Sequence, residues 1–326
     1  MNPKFYLASF IACFLALNGF AQKQNVYFLK NNGKYVTERD SADYTRIVRE
    51  PDSGTVLYNV IEYYLNGNPK MIGKSSTIDP IKLEGQFVSF YPDKNKKRIG
   101  TYENGQLTGE IYDYYPNGKL YRQSTCLKFT DKKSFMPEDE KQTVQAAYDS
   151  TGAILVKDGD GHYPIFDGNF KTIKEEGDVK DGKKNGTWKG TLNQGKVTFT
   201  EEYADGKFMK GTRTEENGTT INYTVKEALP TFKGGESAFG RYLSQNVHYP
   251  ARPKQRNIQG RVILSFTVEK DGSLTDFKIL KSVDPDLDAE AIRVLSQSPK
   301  WNPGIQQGAA VKVAYTMPFN FSLGGR

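Results

Sequence analysis

Residues 260–283 read Gly-Arg-Val-Ile-Leu-Ser-Phe-Thr-Val-Glu-Lys-Asp-Gly-Ser-Leu-Thr-Asp-Phe-Lys-Ile-Leu-Lys-Ser-Val. Val262, Leu264, Phe266 and Val268 alternate with more polar neighbours, the period of a strand with one buried face. Asp271-Gly272 is a hairpin turn signal, because both residue types tolerate the left-handed backbone that tight turns need. Leu274 to Val283 then return as a second strand antiparallel to the first. The stretch reads as the nucleus of a small sheet.

Upstream of it, Phe232-Lys233-Gly234-Gly235-Glu236 introduces Ser237 to Gln245, where Phe239, Tyr242 and Leu243 share one side at helical spacing, and Tyr249-Pro250 breaks the pattern. Downstream, Asp284-Pro285-Asp286-Leu287-Asp288 has the proline and acidic residues of a helix start, and Leu287, Ala291, Val294 and Leu295 line one face. Ser298-Pro299 ends that helix. Val311, Val313, Tyr315, Met317, Phe319 and Phe321 then alternate over eleven residues, predicting one long final strand. Pro318 cannot donate to a ladder, which puts this strand at a sheet edge.

The order helix, strand, turn, strand, helix, strand resembles the C-terminal domain of the TonB family, the energy transducers of Gram-negative outer-membrane transport. The residues that carry the likeness are Tyr249-Pro250-Ala251, Ile258-Gln259-Gly260-Arg261-Val262, Asp271-Gly272-Ser273, Leu287-Asp288-Ala289-Glu290-Ala291, Pro299-Lys300-Trp301-Asn302-Pro303-Gly304 and Val311 to Phe321, within residues 230–322. The resemblance implies a three-stranded antiparallel sheet with two helices on one face. It also implies a partner, an extended segment of an outer-membrane TonB-dependent receptor, captured as an added strand. Such capture draws affinity from unpaired backbone groups and selectivity from neighbouring side chains. Carried onto this chain, the docking edge is Val311, Lys312, Val313, Ala314, Tyr315 and Thr316.

Ahead of this region one phrase recurs: tyrosine, any residue, Asn or Asp, glycine. It stands at Tyr64-Leu65-Asn66-Gly67, Tyr102-Glu103-Asn104-Gly105, Tyr115-Pro116-Asn117-Gly118 and Tyr203-Ala204-Asp205-Gly206. Each predicts a hairpin with a two-residue type I′ turn. Glu84-Gly85-Gln86 with Tyr91-Pro92 is echoed 24 residues later by Thr108-Gly109-Glu110 with Tyr115-Pro116, and Asp181 to Trp188 repeats the grammar with Trp188 in an aromatic slot. These segments resemble MORN-type repeats, whose hairpins stack into an elongated sheet. The likeness covers residues 58–122 and 165–212. Residues 128–164 keep the pattern poorly, and Asp131 to Lys141, with Pro137, reads as a charged loop interrupting the array. The tyrosine stripe is read as the buried face.

The fold class is therefore β-rich in two parts, a MORN-like hairpin array over residues 22–225 and a small TonB-like α+β domain over 226–326. Met1 to Ala21 combines Lys4, an apolar run from Phe5 to Leu17 and small residues Gly19 and Ala21, the design of a cleaved signal peptide. Export to the periplasm or outer membrane follows. With the run removed and the 15 prolines scattered rather than gathered into a spacer, the expectation is a periplasmic interaction protein. The alternatives are an uncleaved run serving as anchor, which would restore the energy-transducer reading, and a structural cell-envelope protein.

Residues 226–326 hold 14 Lys plus Arg against 9 Asp plus Glu, so most of the formal net charge of +7 belongs to this third. In an exported chain that excess suits an anionic envelope component such as peptidoglycan, or an acidic segment, rather than nucleic acid. Two His and two Cys leave little for metal or thiol chemistry. His162 and His248 have no partner at catalytic spacing, and Asp158-Gly159-Asp160-Gly161 lacks the terminal Glu of a calcium loop and reads as a polar turn. The chain is read as non-enzymatic, with no cofactor and no metal.

Overall fold

The computed structural model describes residues 23–126 and 142–323, which fall into two compact units dividing between them. The signal-peptide reading and the interrupting loop lie outside the described residues.

The first unit is an antiparallel meander: β1 (Gln24–Leu29), β2 (Tyr35–Val36), β3 (Tyr44–Arg49), β4 (Tyr58–Tyr64), β5 (Pro69–Ser75), β6 (Leu83–Phe90), β7 (Lys96–Glu103), β8 (Gln106–Tyr114) and β9 (Leu120–Cys126). From β3 onward each strand pairs with the next, while β1 pairs with both β2 and β3. Val48, Val60, Met71 and Phe87 form the core on one face.

The turns divide into two kinds, where the sequence predicts one. At Tyr102 and Tyr203 the pairs Asn104-Gly105 and Asp205-Gly206 both have positive φ, as a type I′ turn requires. At Tyr64 and Tyr115 only the glycine does; the tyrosine carbonyl accepts from Gly67 N and Gly118 N, and the tyrosine N–H donates to the carbonyls of Asn68 and Lys119. These are three-residue loops. Pro116 supplies one reason: lacking an N–H, it cannot close a two-residue turn, so the closing role falls to Tyr115.

These loops also tie one hairpin to the next. The Tyr64 hydroxyl donates to the Phe90 carbonyl and the Tyr91 hydroxyl to that of Tyr114, both at 2.8 Å. Asn68 and Asn95 likewise donate to the carbonyls of Pro92 and Pro116, at 2.7 Å each. Of the stripe, Tyr91, Tyr115 and Tyr203 are buried, as the aromatic pattern predicts, whereas Tyr64 and Tyr102 are half-buried; burial pushes the Tyr91 hydroxyl up to about 12. Two residues before Tyr64, Tyr115 and Tyr203 lies a buried carboxylate that the sequence reading passed over: Glu62, Asp113 and Glu201. Each is answered by cations from adjacent segments, Glu62 by Arg46 and Lys70, Asp113 by Arg98 and Arg122, and Glu201 by Lys226.

The second unit opens with β10 (Gln142–Tyr148), β11 (Ile154–Lys157), β12 (Asp160–Phe166), β13 (Ile173–Lys180), β14 (Lys183–Leu192), β15 (Val197–Ala204), β16 (Lys207–Thr214) and β17 (Thr220–Tyr223), again paired in sequence. Hairpins thus run through residues 142–166, where the repeat pattern is weak. Asp158-Gly159 is the tight turn between β11 and β12, as its composition indicates. Trp188 is fully buried, and its indole N–H donates to the Asp178 carbonyl at 2.8 Å.

The same unit continues with β18 (Glu227–Ala228), α1 (Gly235–Asn246), α2 (Ala251–Gln255), β19 (Gly260–Val268), β20 (Leu274–Lys281), α3 (Pro285–Ser296), β21 (Gly304–Gln306), β22 (Ala309–Val311) and β23 (Val313–Phe321). Two three-stranded sheets result, ordered β20-β19-β23 and β18-β21-β22. Val262, Leu264, Phe266 and Val268 are all essentially inaccessible and pack with Leu287, Ala291, Leu295 and Trp301. Burying each such side chain stabilises the fold by roughly 1.5–3 kcal/mol. Asp284 caps α3 by accepting from Asp286 N at 2.9 Å, with Pro285 in the first turn.

Three of the expectations change here. A third, short helix, α2, starts directly after Pro250, which caps it in extended conformation with ψ 145°. The small β18-β21-β22 sheet was not foreseen. The final strand is shorter than the eleven residues predicted, because Ala309–Val311 pairs with Gly304–Gln306 and the chain changes sheets at Lys312.

Candidate functional site: the free edges of the C-terminal sheet

The β20-β19-β23 sheet has β19 in its centre, so β20 and β23 each have one side without a strand partner among the described residues. β23 runs in unbroken register with β19, from Val313 opposite Val268 to Phe321 opposite Gly260. β20 pairs irregularly, with register shifts between Ile263 and Leu264 and between Ser265 and Thr267. Asp276 takes a positive φ there, and Lys278, Leu280 and Lys281 are exposed. A bulged strand carrying lysines is a blunted edge, whereas a regular one is a template for pairing.

Along β23 the side chains alternate cleanly. Val313, Tyr315 and Met317 are half-buried, the last two packing against the core cluster, and Phe319 and Phe321 are buried within it. Ala314, Thr316, Pro318 and Asn320 are exposed. The Tyr315 ring lies 5.7 Å from both Phe266 and Trp301, edge-on or tilted to each.

The six residues of the expected docking edge do not share one strand. Val311 belongs to β22, opposite Gly304. Lys312 lies between the strands and reaches Glu269, with Nζ 2.8 Å from Oε2. Val313, Ala314, Tyr315 and Thr316 form the first half of β23. The Lys312 hydrogen bond, then that from Thr275, holds the Glu269 carboxyl below its usual range, and the same contact raises Lys312. The start of β23 is thereby pinned to the turn that follows β19.

That turn is held by Gly272. Its φ is +82°, and a Cβ there would lie 2.0 Å from the Trp301 carbonyl oxygen, so no other residue fits without moving backbone. The Gly272 carbonyl accepts from Trp301 N at 2.8 Å. Lys300 grips Asp271 at 2.6 Å and holds its carboxyl well below the usual carboxylate range.

Both histidines gain partners that lie far away in sequence. His162 Nδ1 is 2.6 Å from Asp178 on an exposed strand face. His248 donates its backbone N–H to Glu290 at 2.6 Å, and Arg293 bridges Glu290 to the Asn246 carbonyl, fastening the end of α1 to α3. Among the described residues no cluster of three or more His, Cys, Asp or Glu could hold a metal, and no helix is long and apolar enough to cross a membrane.

Residues 245–323 match the family of Gram-negative bacterial TonB protein C-terminal domains. Part of the chain is similar to curated proteins named Protein TonB. One from Helicobacter pylori is 32% identical over 114 residues, covering 33% of this chain and 39% of the relative. Another from Haemophilus influenzae is 35% identical over 85 residues, covering 25% and 32%. These matches thus span a quarter to a third of the chain and less than two fifths of each relative. Among solved structures, a solution structure of the Helicobacter pylori TonB C-terminal domain is 28% identical, with a TM-score of 0.22, covering 27% of this chain and 78% of that one.

Proposed function

We propose that this chain is a non-catalytic envelope interaction protein whose TonB-like domain binds an extended segment of an outer-membrane receptor by strand addition on β23, as part of TonB-linked transport. The observation that carries the reading is the difference between the two edges, β23 regular and open, β20 bulged and charged. In this reading the hairpin units are MORN-type repeats that serve as a spacer, and the chain acts in the periplasm of a Gram-negative envelope.

Pro318 defines the usable window. It stands opposite Ile263 and has no N–H, so the pairing parity that sacrifices no ladder bond points its nitrogen away from β19. Ala314 and Thr316 share that parity and direct their N–H and C=O groups outward. The run of outward donors is broken after Thr316, because Pro318 supplies only a carbonyl, and resumes at Asn320. Val313, Tyr315 and Met317 point theirs toward β19, so a proline at 313 would damage the sheet itself.

The test is calorimetric titration of the full chain with a synthetic peptide of the N-terminal segment of a TonB-dependent receptor from the same organism. Thr316→Pro removes an outward donor and distorts its neighbour, and it lowers affinity about 10- to 100-fold while far-ultraviolet circular dichroism stays unchanged. Unchanged affinity in a folded variant would remove β23 as the docking strand.

A further inference from the structure

The hairpin sheet of the first unit has an apolar second face. Opposite the face that buries Val48, Val60, Met71 and Phe87, cross-strand partners line up from Val26 on β1 through Ile47, Ile61, Ile72 and Val88 to Ile99 on β7. Tyr112 on β8 closes the row. Val26 and Ile72 are 46% and 44% exposed, and the others are half-buried. Beside the row lie Phe28, Tyr63, Phe90 and Tyr114, also half-buried.

The hairpin fold does not require this. In the second unit the corresponding solvent-facing row is Pro164, Glu176, Lys189, Thr200, Thr212 and Asn222. The same architecture in the same chain is therefore polar where nothing need cover it. With strands about 4.8 Å apart, the apolar row crosses roughly 30 Å, and with the aromatic row beside it covers roughly 400 Å², in the range of the largest patches on monomers.

The charges flanking the row identify the occupant. On its polar side Arg49 and Lys74 lie on β3 and β5, whereas Glu84 and Glu110 lie on β6 and β8. Lys74 stands directly opposite Glu84 and also meets Asp52 at 3.4 Å, so the outermost charges, Arg49 at one end of the row and Glu110 at the other, set its polarity. Turning a second copy by a two-fold axis along the strands, between β5 and β6, places β3 over β8 and β5 over β6. Arg49 then faces Glu110 of the second copy, Lys74 faces its Glu84, and Ile61 and Ile72 face its Ile99 and Val88.

We propose that this face is a homodimer interface, two sheets packed face to face with the charged row as its rim. Apolar centre and charge order are both self-complementary, as a two-fold interface demands. With the rim included, each copy buries roughly 600–700 Å², somewhat below the roughly 800 Å² of a standard stable interface, so the dimer dissociates on dilution.

Sedimentation velocity of the full chain from about 1 to 200 µM tests this, the range over which a weak dimer dissociates. The expected result is a monomer–dimer equilibrium. Ile72→Lys, at an exposed site, weakens it at least about tenfold. Arg49→Glu and Glu110→Arg each weaken it about three- to tenfold, and the two together restore it. A monomer at every concentration overturns the proposal, as does a dimer indifferent to Ile72→Lys or a charge pair that fails to rescue. A monomer that cosediments with lipid vesicles and loses that binding on Ile72→Lys overturns it in favour of a lipid surface.

Discussion

β20 and β23 flank the same central strand and end in the same solvent, yet they are built to opposite specifications. β20 carries a positive-φ residue, Asp276, two shifts of register and exposed lysines. β23 keeps one register over its whole length and shows small side chains, Ala314 and Thr316, on its exposed face. Sheet edges that must remain solitary are bulged and charged. The contrast teaches that the two edges differ in regularity rather than in hydrophobicity alone, and the proposed function takes the regular one as the strand that receives a partner.

The strongest way to break this comparison is to remove the scaffold common to both edges. Gly272→Ala drives a Cβ into the Trp301 carbonyl and forbids the turn its φ requires. We expect a loss of about 3 kcal/mol or more in urea unfolding, with β19 amides losing hydrogen-exchange protection. Next comes Thr316→Pro, with the 10- to 100-fold loss of peptide affinity given above. Its counterpart is Leu280→Pro. Leu280 is 60% exposed, and it is skipped where the register passes from Ile263 opposite Lys281 to Leu264 opposite Ile279. A proline is tolerated at such a bulge, so affinity changes less than about twofold. If Leu280→Pro abolished binding and Thr316→Pro did not, the two edges would exchange roles.

The smallest effect concerns the pin at the start of β23. Glu269 has a lowered carboxyl pKa because of Lys312 and Thr275. Its contribution is present above the ordinary carboxylate range and is lost as pH falls through the lowered folded value. Glu269→Gln should flatten the acid limb of the stability profile followed by exchange at Val313 and Ala314. An acid limb identical to that of the parent chain would show that the pin does not matter to β23.

Much of the C-terminal sheet was legible because its signals are local. The alternation of Val262 to Val268, the Asp271-Gly272 turn and the Pro285 helix start each act within a few residues. The break at Lys312 was not legible: Val311 and Val313 continue the same alternation, and only the pairing of Ala309–Val311 with Gly304–Gln306 separates them. The turn behind that pairing is Gln307-Gly308, where a glutamine takes φ +45°, and glutamine is a weak turn signal. The two kinds of hairpin loop escaped for a related reason, since Asn-Gly occurs in both and the closing residue decides. Buried Glu62, Asp113 and Glu201 find their bases on other segments, which local pattern does not show. In hindsight their recurrence two residues before a turn tyrosine was visible in the sequence.

Amide hydrogen exchange of the full chain, with and without the receptor peptide, tests the β23 assignment most directly. The account predicts that Ala314 and Thr316 gain protection on binding while β20 amides do not change. Protection confined to β20, or binding with no protection on β23, would contradict it.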